Sequence, residues 1–315
     1  MARIAIAGAG NIAFTNAALL GHFGQEVAIW SPSSAGTRDL ARDGRITASG
    51  WLNGSFAAGV AEDPRALAGF ADVIMTAVPA YAQKAVFDQL LPWLTDDHLV
   101  VVSGGQMSFA TRYMLMSLRS RGLKTAVAAL HNPVMMGRKV SSSGAALVPV
   151  ARQVRIGLDP DSDAHDQITR LTGIFGDRFV LSDDMIAAEL SAIGGVVHAA
   201  LALCNLTRIE QGEEWCGYGN TTESVGRLTE TLDAERVAVG AALGYAIASI
   251  VALYSDPAAP PKTMQEIFQP ITYQRTFRNG PRKITTRYIE EEIPYNLVSI
   301  ELIGRLAGVA TPVMS

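Results

Sequence analysis

The chain's 315 residues suffice for two domains with separate cores, and an apolar share of 49% excludes disorder over most of the length. A formal net charge of −4 with scattered basic residues excludes the basic footprint of a nucleic-acid binder. Two cysteines, Cys204 and Cys216, form no CxxC pair and have no ligand cluster nearby, so they read as reduced thiols of a cytoplasmic protein with no metal site.

From the N-terminus, the runs at 3–8, 26–30, 72–78 and 99–103 are continuously apolar, as expected of strands covered on both faces. Helical patterns lie between them at about 11–23, 34–42, 81–91 and 108–119. This alternation predicts a parallel, doubly wound sheet. The glycine-rich piece 46–60 predicts a small antiparallel excursion, and further strands are expected near 125–130, 145–150, 153–158 and 178–182. At about Ser182 the character changes, and helical patterns take over at 184–211, 221–230, 233–255 and 296–308. The Pro-rich stretch 255–262 cannot continue a helix. The expected organisation is therefore an α/β domain over 1–182 followed by an all-α domain over 183–315. The run Val237–Tyr254 is uncharged and nearly long enough to span a bilayer. Its Ala/Gly-rich composition fits a helix buried in a helical domain instead, so no membrane association is expected.

Gly8, Ala9, Gly10, Asn11, Ile12 and Ala13 fit G-x-G-x-x-[GA] directly between a strand and a helix. Gly8 permits the tight turn, Gly10 lets the backbone approach a pyrophosphate, and Ala13 lets the helix close on the strand. Free N–H groups at the helix start, including those at Asn11 and Ile12, then hold the anion. This is the Rossmann dinucleotide-binding pattern. The second strand ends in Trp30, Ser31, Pro32, Ser33 and Ser34, where NAD sites place an acid. A carboxylate would repel a 2′-phosphate, whereas Ser31, Ser33 and Arg38 can accept one, so NADP(H) is favoured over NAD(H). Val78 and Pro79, ending the next parallel strand, are expected beside the nicotinamide half.

Of five histidines, His22 falls in the first helix, and His98 and His165 fall in polar stretches expected to be exposed. His131 follows a strand. His198 stands inside a small-residue helical run after Gly194 and Gly195, which would let a cofactor or substrate come close. Near the other end, residues 287–296 read RYIEEEIPYN, three glutamates stopped by a proline in a chain with 18% charged residues. By themselves they equally describe a solvated helix end.

The chain resembles the opine dehydrogenases of the octopine/nopaline type over nearly its whole length. The resemblance rests on GAGNIA, VPAYAQKAVFDQLLPWL (78–94), HAALALCN (198–205), the spacing of 221–244, and RYIEEEIPYNLV (287–298). It implies reduction, by NAD(P)H, of the imine formed between a 2-oxo acid and an amine or amino acid. It also implies a catalytic pair, a helix histidine and an acid in an R-Y-x-T-E-D-I-P-like segment, which fall on His198 and Glu292. Glu292 stands where the family usually shows Asp, Ala199 where Pro is common, and Gln83 where His often occurs. These departures mark a divergent member, and Glu290 and Glu291 compete for the role of Glu292. An imidazole suits proton transfer near neutral pH, and a carboxylate on its other nitrogen fixes the tautomer. Arg287 offers a planar fork for the oxo-acid carboxylate, and Asn205, two turns after His198, is expected either to contact substrate or to cap a buried bond. The apolar helical domain also admits a homodimer. Two rival readings stand beside this one: a 2-oxo acid or ketone reductase without an amine partner, and a non-catalytic dinucleotide-binding protein.

Overall fold

The computed structural model describes residues 1–104, 107–256, 258, 260, 262–270 and 279–315. The chain forms two compact units, one of Met1–Gly105 with Phe109–Glu189, the other of Leu190–Ser315 with Gln106–Ser108.

The first unit runs β1 (Arg3–Ala7), α1 (Asn11–His22), β2 (Glu26–Trp30), α2 (Arg38–Asp43), β3 (Arg45–Gly50), β4 (Gly54–Ala57), β5 (Gly59–Val60), α3 (Pro64–Phe70), β6 (Val73–Thr76), α4 (Ala80–Leu90), β7 (Leu99–Val102) and α5 (Ala110–Ser120). It continues with β8 (Ala126–Leu130), β9 (Gly137–Ser141), β10 (Gly144–Leu147), β11 (Val154–Leu158), α6 (Ala164–Phe175), β12 (Phe179–Leu181) and α7 (Met185–Leu190), whose last residue belongs to the second unit. Eight strands form the main sheet in the order β12-β11-β8-β7-β6-β1-β2-β5. From β8 to β5 all pairings are parallel, whereas β11 runs antiparallel to β8. Strand alternation divides the core: Ile4 and Ile6 pack on one face, Ala5 and Ala7 on the other, and all four are fully buried. The Rossmann sheet expected from the apolar runs is thus present.

The glycine-rich excursion is larger than expected. β3 and β4 form a hairpin, but β10 adds parallel to β3, and β9 completes a second, four-stranded sheet. The strand expected at 145–150 therefore belongs to this small sheet and not to the large one. It seats on α1 through buried polar side chains, because Thr15 Oγ1 and Asn16 Nδ2 donate to the Met135 carbonyl at 3.2 and 3.0 Å. Among the histidines, His98 is buried and not exposed as expected. Its Nδ1 accepts from the Thr95 N–H at 2.9 Å, and its Nε2 pairs with the Ala68 carbonyl at 3.1 Å. His131 Nδ1 accepts from the Arg155 N–H at 2.9 Å, and burial pushes its pKa down to about 4, so it is a neutral structural residue.

The second unit runs α8 (Gly194–Cys204), α9 (Leu206–Glu210), α10 (Glu223–Ala242), α11 (Ile250–Tyr254), α12 (Met264–Phe268), α13 (Arg287–Glu290) and α14 (Val298–Leu306). Val196, Val197, Leu201, Trp215, Leu232 and Phe268 lie in its core. The boundary between the expected helices 221–230 and 233–255 is displaced. Asp233, Glu235 and Arg236, read from sequence as a helix start, sit inside α10, which begins where the Thr222 hydroxyl accepts from the Val225 N–H. They are buried because they staple loops. Arg236 pairs with Asp233 at 2.7 Å and donates to the carbonyls of Leu190 and Ala248, while Asp233 accepts from the Ile250 N–H at 2.7 Å. Glu235 accepts from the N–H groups of Val313 and Met314.

The apolar run Val237–Tyr254 is consequently no single helix, since it breaks between Ala242 and Ile250 around Gly244 at φ +86°. Among the described residues, Met185–Cys204 is the stretch apolar enough to cross a bilayer; residues 191–193 divide it into α7 and α8, and most of it is buried within the protein. The Pro-rich break at 255–262 lies partly outside the described residues, at 257, 259 and 261.

Candidate functional site

In the first unit, candidate ligand-binding positions gather where β1 turns into α1. Gly8 has φ +134°, and a Cβ there would overlap the Ala77 carbonyl oxygen and press on Val78 Cγ1. Its N–H donates to the Trp30 carbonyl at 2.7 Å, so the turn lies tight against the ends of β2 and β6. Gly10 is the opposite case, with nothing within 4 Å of where a Cβ would stand. That open side, followed by the start of a twelve-residue helix, fits a pyrophosphate: N–H groups converge on it and no side chain intrudes. Asn11 is exposed, Ile12 half-buried and Ala13 fully buried against the sheet. Val78 and Pro79 follow β6, with Val78 touching the Gly8 turn and Pro79 capping α4.

At the end of β2, Ser31 is half-buried, and the Ser33 hydroxyl accepts from the Ala35 N–H at 3.4 Å. Arg38 is exposed at the start of α2 and, among the described residues, makes no ion pair. A cation that the sequence reading missed is Lys139, which β9 delivers to the same place. Its Nζ donates to the carbonyls of Ala9 at 3.3 Å and Gly36 at 2.6 Å, and it lies 3.6 Å from the centre of the Phe14 ring. Its backbone N–H donates to Asn11 Oδ1 at 2.8 Å. Burial lowers the Lys139 pKa. A cation held beside a helix N-terminus is unfavourable unless an anion joins them. Nothing in the sequence tied residue 139 to residue 9, because a separate sheet makes the connection.

In the second unit, side chains set the geometry. His198 lies in α8 with 15% of its side chain exposed. Its Nδ1 is 3.1 Å from Glu292 Oε1, and its Nε2 is 3.1 Å from the Tyr218 hydroxyl. Tyr288 stacks flat on the imidazole, with ring centres 3.9 Å apart and planes 8° from parallel. Glu292 is 1% exposed and also accepts from Arg287 Nη2 at 3.0 Å. A carboxylate that accepts from both partners makes Nδ1 the protonated nitrogen, so in neutral His198 the Nε2 lone pair accepts from Tyr218. The run of glutamates separates by role: Glu290 is exposed, Glu291 is buried with its Oε2 3.4 Å from Arg287 Nε, and Glu292 meets the histidine. Partial burial works against the Arg287 cation, but Glu292 and Glu291 outweigh it and raise its pKa.

Local sequence explains why Glu292 reaches this place. Pro294 has no N–H to continue the ladder, but it does not stop the segment as expected. The chain passes through a π turn at Ile293–Leu297, where the Val298 N–H donates to the Ile293 carbonyl, and then enters α14. The same turn buries Asn296, whose two amide atoms find no hydrogen-bond partner among the described residues. Asn296 also corrects the reading of Gly195. The space that its missing Cβ leaves is filled by the Asn296 carboxamide and not by a ligand. Asn205 is not drawn into the histidine cluster. Its Nδ2 donates to the Leu201 carbonyl at 3.0 Å and its Oδ1 accepts from Arg208, closing the end of α8.

A Rossmann sheet with an open glycine turn, joined in one chain to a helical unit holding a buried histidine–carboxylate pair, is the architecture of two-domain nicotinamide-dependent dehydrogenases. Residues 181–315 match the family described as NAD/NADP octopine/nopaline dehydrogenase, alpha-helical domain. The opine dehydrogenase of Arthrobacter sp. (strain 1C) is 25% identical, over 98% of this chain and 87% of its own. The structure of an octopine dehydrogenase with NADH and L-arginine superposes with a TM-score of 0.80 at 16% identity, over 100% of this chain and 87% of the other. A yersinopine dehydrogenase with NADP+ superposes with a TM-score of 0.73 at 17% identity, covering 100% and 88%. The helical unit thus matches the octopine/nopaline dehydrogenase family, and the whole chain resembles opine dehydrogenases in sequence and in fold.

Proposed function

We propose that this chain reduces the imine formed from a 2-oxo acid and an amine or amino acid, with His198 as acid/base. The observation that carries the reading is the His198–Glu292 hydrogen bond, half-buried on the histidine side, within the helical unit that matches the family. Glu292 holds the imidazole in one tautomer and stabilises it when it gains a proton. Its charge, with that of Glu291, also favours a cationic iminium nearby. Arg287 anchors the glutamates through Nε and Nη2 and offers Nη1, for which no hydrogen bond or ion pair is seen among the described residues, to the oxo-acid carboxylate. When bound, the dihydronicotinamide supplies the hydride. Relatives solved with pyruvate and with L-arginine support a small oxo acid and an amino acid as substrates.

NADP(H) is the preferred cofactor in this reading. Ser31, Ser33, Arg38 and Lys139 surround the place where an NAD site carries an acid, and none of them repels a 2′-phosphate. The test is a consumption assay that crosses 2-oxo acids with amines, run with NADPH and with NADH. Loss of NADPH that requires both substrates is expected. Loss with the oxo acid alone would transfer the activity to a simple oxo-acid reductase, and binding without turnover would leave a dinucleotide-binding protein.

A further inference from the structure

An imidazole that serves as acid/base needs one nitrogen for its substrate, yet both nitrogens of His198 are engaged. Nδ1 faces Glu292 and Nε2 faces the Tyr218 hydroxyl, each at 3.1 Å, while Tyr288 covers a ring face. We infer that the Tyr218 hydroxyl is the group that exchanges a proton with the substrate, and that His198 acts through it. This rests on the reading of His198 as the acid/base.

Tyr218 is held firmly enough for such a role. Its ring packs edge-on against buried Phe268, with centres 5.0 Å apart, and meets the His198 ring at 69°. Its loop is closed by the Cys216 N–H donating to Asn220 Oδ1 at 2.8 Å, the Asn220 N–H to the Cys216 carbonyl at 2.9 Å, and the Thr221 N–H to the Tyr218 carbonyl at 3.1 Å. A phenolic hydroxyl both donates and accepts, so it can pass on a proton and take one back at the same oxygen.

The step it serves is loss of water from the carbinolamine formed by oxo acid and amine. The Tyr218 proton passes to the departing hydroxyl as the C–O bond breaks, and the nitrogen lone pair forms the C=N bond. The Nε2 proton of imidazolium His198 replaces it on the tyrosine oxygen. The products are water, a cationic iminium, neutral His198 and an unchanged Tyr218; no electrons leave the substrate. Addition of hydride to the iminium carbon then gives the secondary amine, and His198 regains a proton from solvent.

The test compares the intact protein with Tyr218→Phe and His198→Ala, measuring kcat, KM for each substrate, and NADPH affinity by fluorescence. Tyr218→Phe is expected to lower kcat by roughly a hundredfold, with NADPH affinity and KM unchanged. A second series places tyrosines of graded fluorination at 218, isosteric with the native residue, and kcat is expected to follow phenol acidity. A kcat within a few-fold of the intact protein in Tyr218→Phe, or one that stays flat across the fluorinated series, overturns the relay. If His198→Ala is inactive in that case, the acid/base reading stands and only the relay falls. If His198→Ala keeps its full rate, that reading falls first.

Discussion

At the start of α1 the first unit offers a ligand mainly backbone: a glycine at φ +134° with no room for a Cβ beside the Ala77 carbonyl, an open glycine, and N–H groups, with Lys139 alongside. In the second unit the groups of chemical interest are side chains carried on helices, a loop and the π turn: an imidazole, two carboxylates, a guanidinium and two phenols within hydrogen-bonding or stacking distance. A binding turn of the first kind depends on where side chains are missing. A proton-transfer site of the second kind depends on which ones are present. Substitutions should therefore damage the two units in different currencies, binding and fold in the first, turnover in the second.

The sharpest separation is expected from His198→Ala. Turnover should fall by roughly a thousandfold or more, while NADPH affinity, read by fluorescence, stays the same. If NADPH binding collapses as well, the division of labour is wrong. Arg236→Ala tests whether the second unit also depends on buried charge for stability. It orphans Asp233 and frees the Leu190 and Ala248 carbonyls, so a loss of about 3–5 kcal/mol is expected in denaturant unfolding.

The glycine pair makes the contrast within one turn. Gly8→Ala should cost about 1–3 kcal/mol of stability from its left-handed backbone alone, and more from overlap with Ala77. Gly10→Ala meets no protein atom, so it should leave the melting temperature unchanged and weaken dinucleotide binding.

A fourth test concerns Glu189, which is buried with its carboxyl accepting from the Thr111 hydroxyl. Burial, reinforced by Asp184 and opposed by Arg112, raises its pKa to about 8 from 4.5. Because the folded state holds this proton more tightly than the unfolded chain, its contribution is fully present below the unfolded value. It is lost as pH rises through the folded one, on the order of 1.4 kcal/mol per pH unit. Glu189→Gln should flatten the fall in stability between about pH 4.5 and 8. A melting curve series with the same slope in both proteins would refute this. The smallest effect is expected from Lys139→Met, with NADPH affinity about tenfold weaker, near 1.4 kcal/mol, and no change in kcat.

The same contrast governs how much could be read in advance. The glycine turn and the apolar strands are contiguous in sequence, so local pattern reached them: residues 3–13 contain strand, turn and helix start together. The family resemblance reached His198 and Glu292, which lie 94 residues apart. Pattern could not reach Tyr218 or Lys139. Each is an ordinary residue in its own segment and gains meaning only where a loop or a second sheet sets it against a distant partner. Residues 233–236 were read as a helix start, and their buried place inside α10 was missed, for a related reason. Charges inside an amphipathic helix usually face water, and only the packed structure shows that these three face loops instead.

The π turn at Ile293–Leu297 carries one residue more per loop than the helix that follows it. It sets the angular phase between α14 and the segment bearing Glu292, much as the teeth of a gear set the angle of a shaft. Deleting one residue from it would let an ordinary helix form. The wide turn absorbs that surplus residue; the same residues wound as ordinary helix would turn everything upstream by about 100° around the axis, carrying the carboxylate away from the imidazole while each residue kept its chemistry. The length of this short stretch is therefore as much a part of the site as the residues in it.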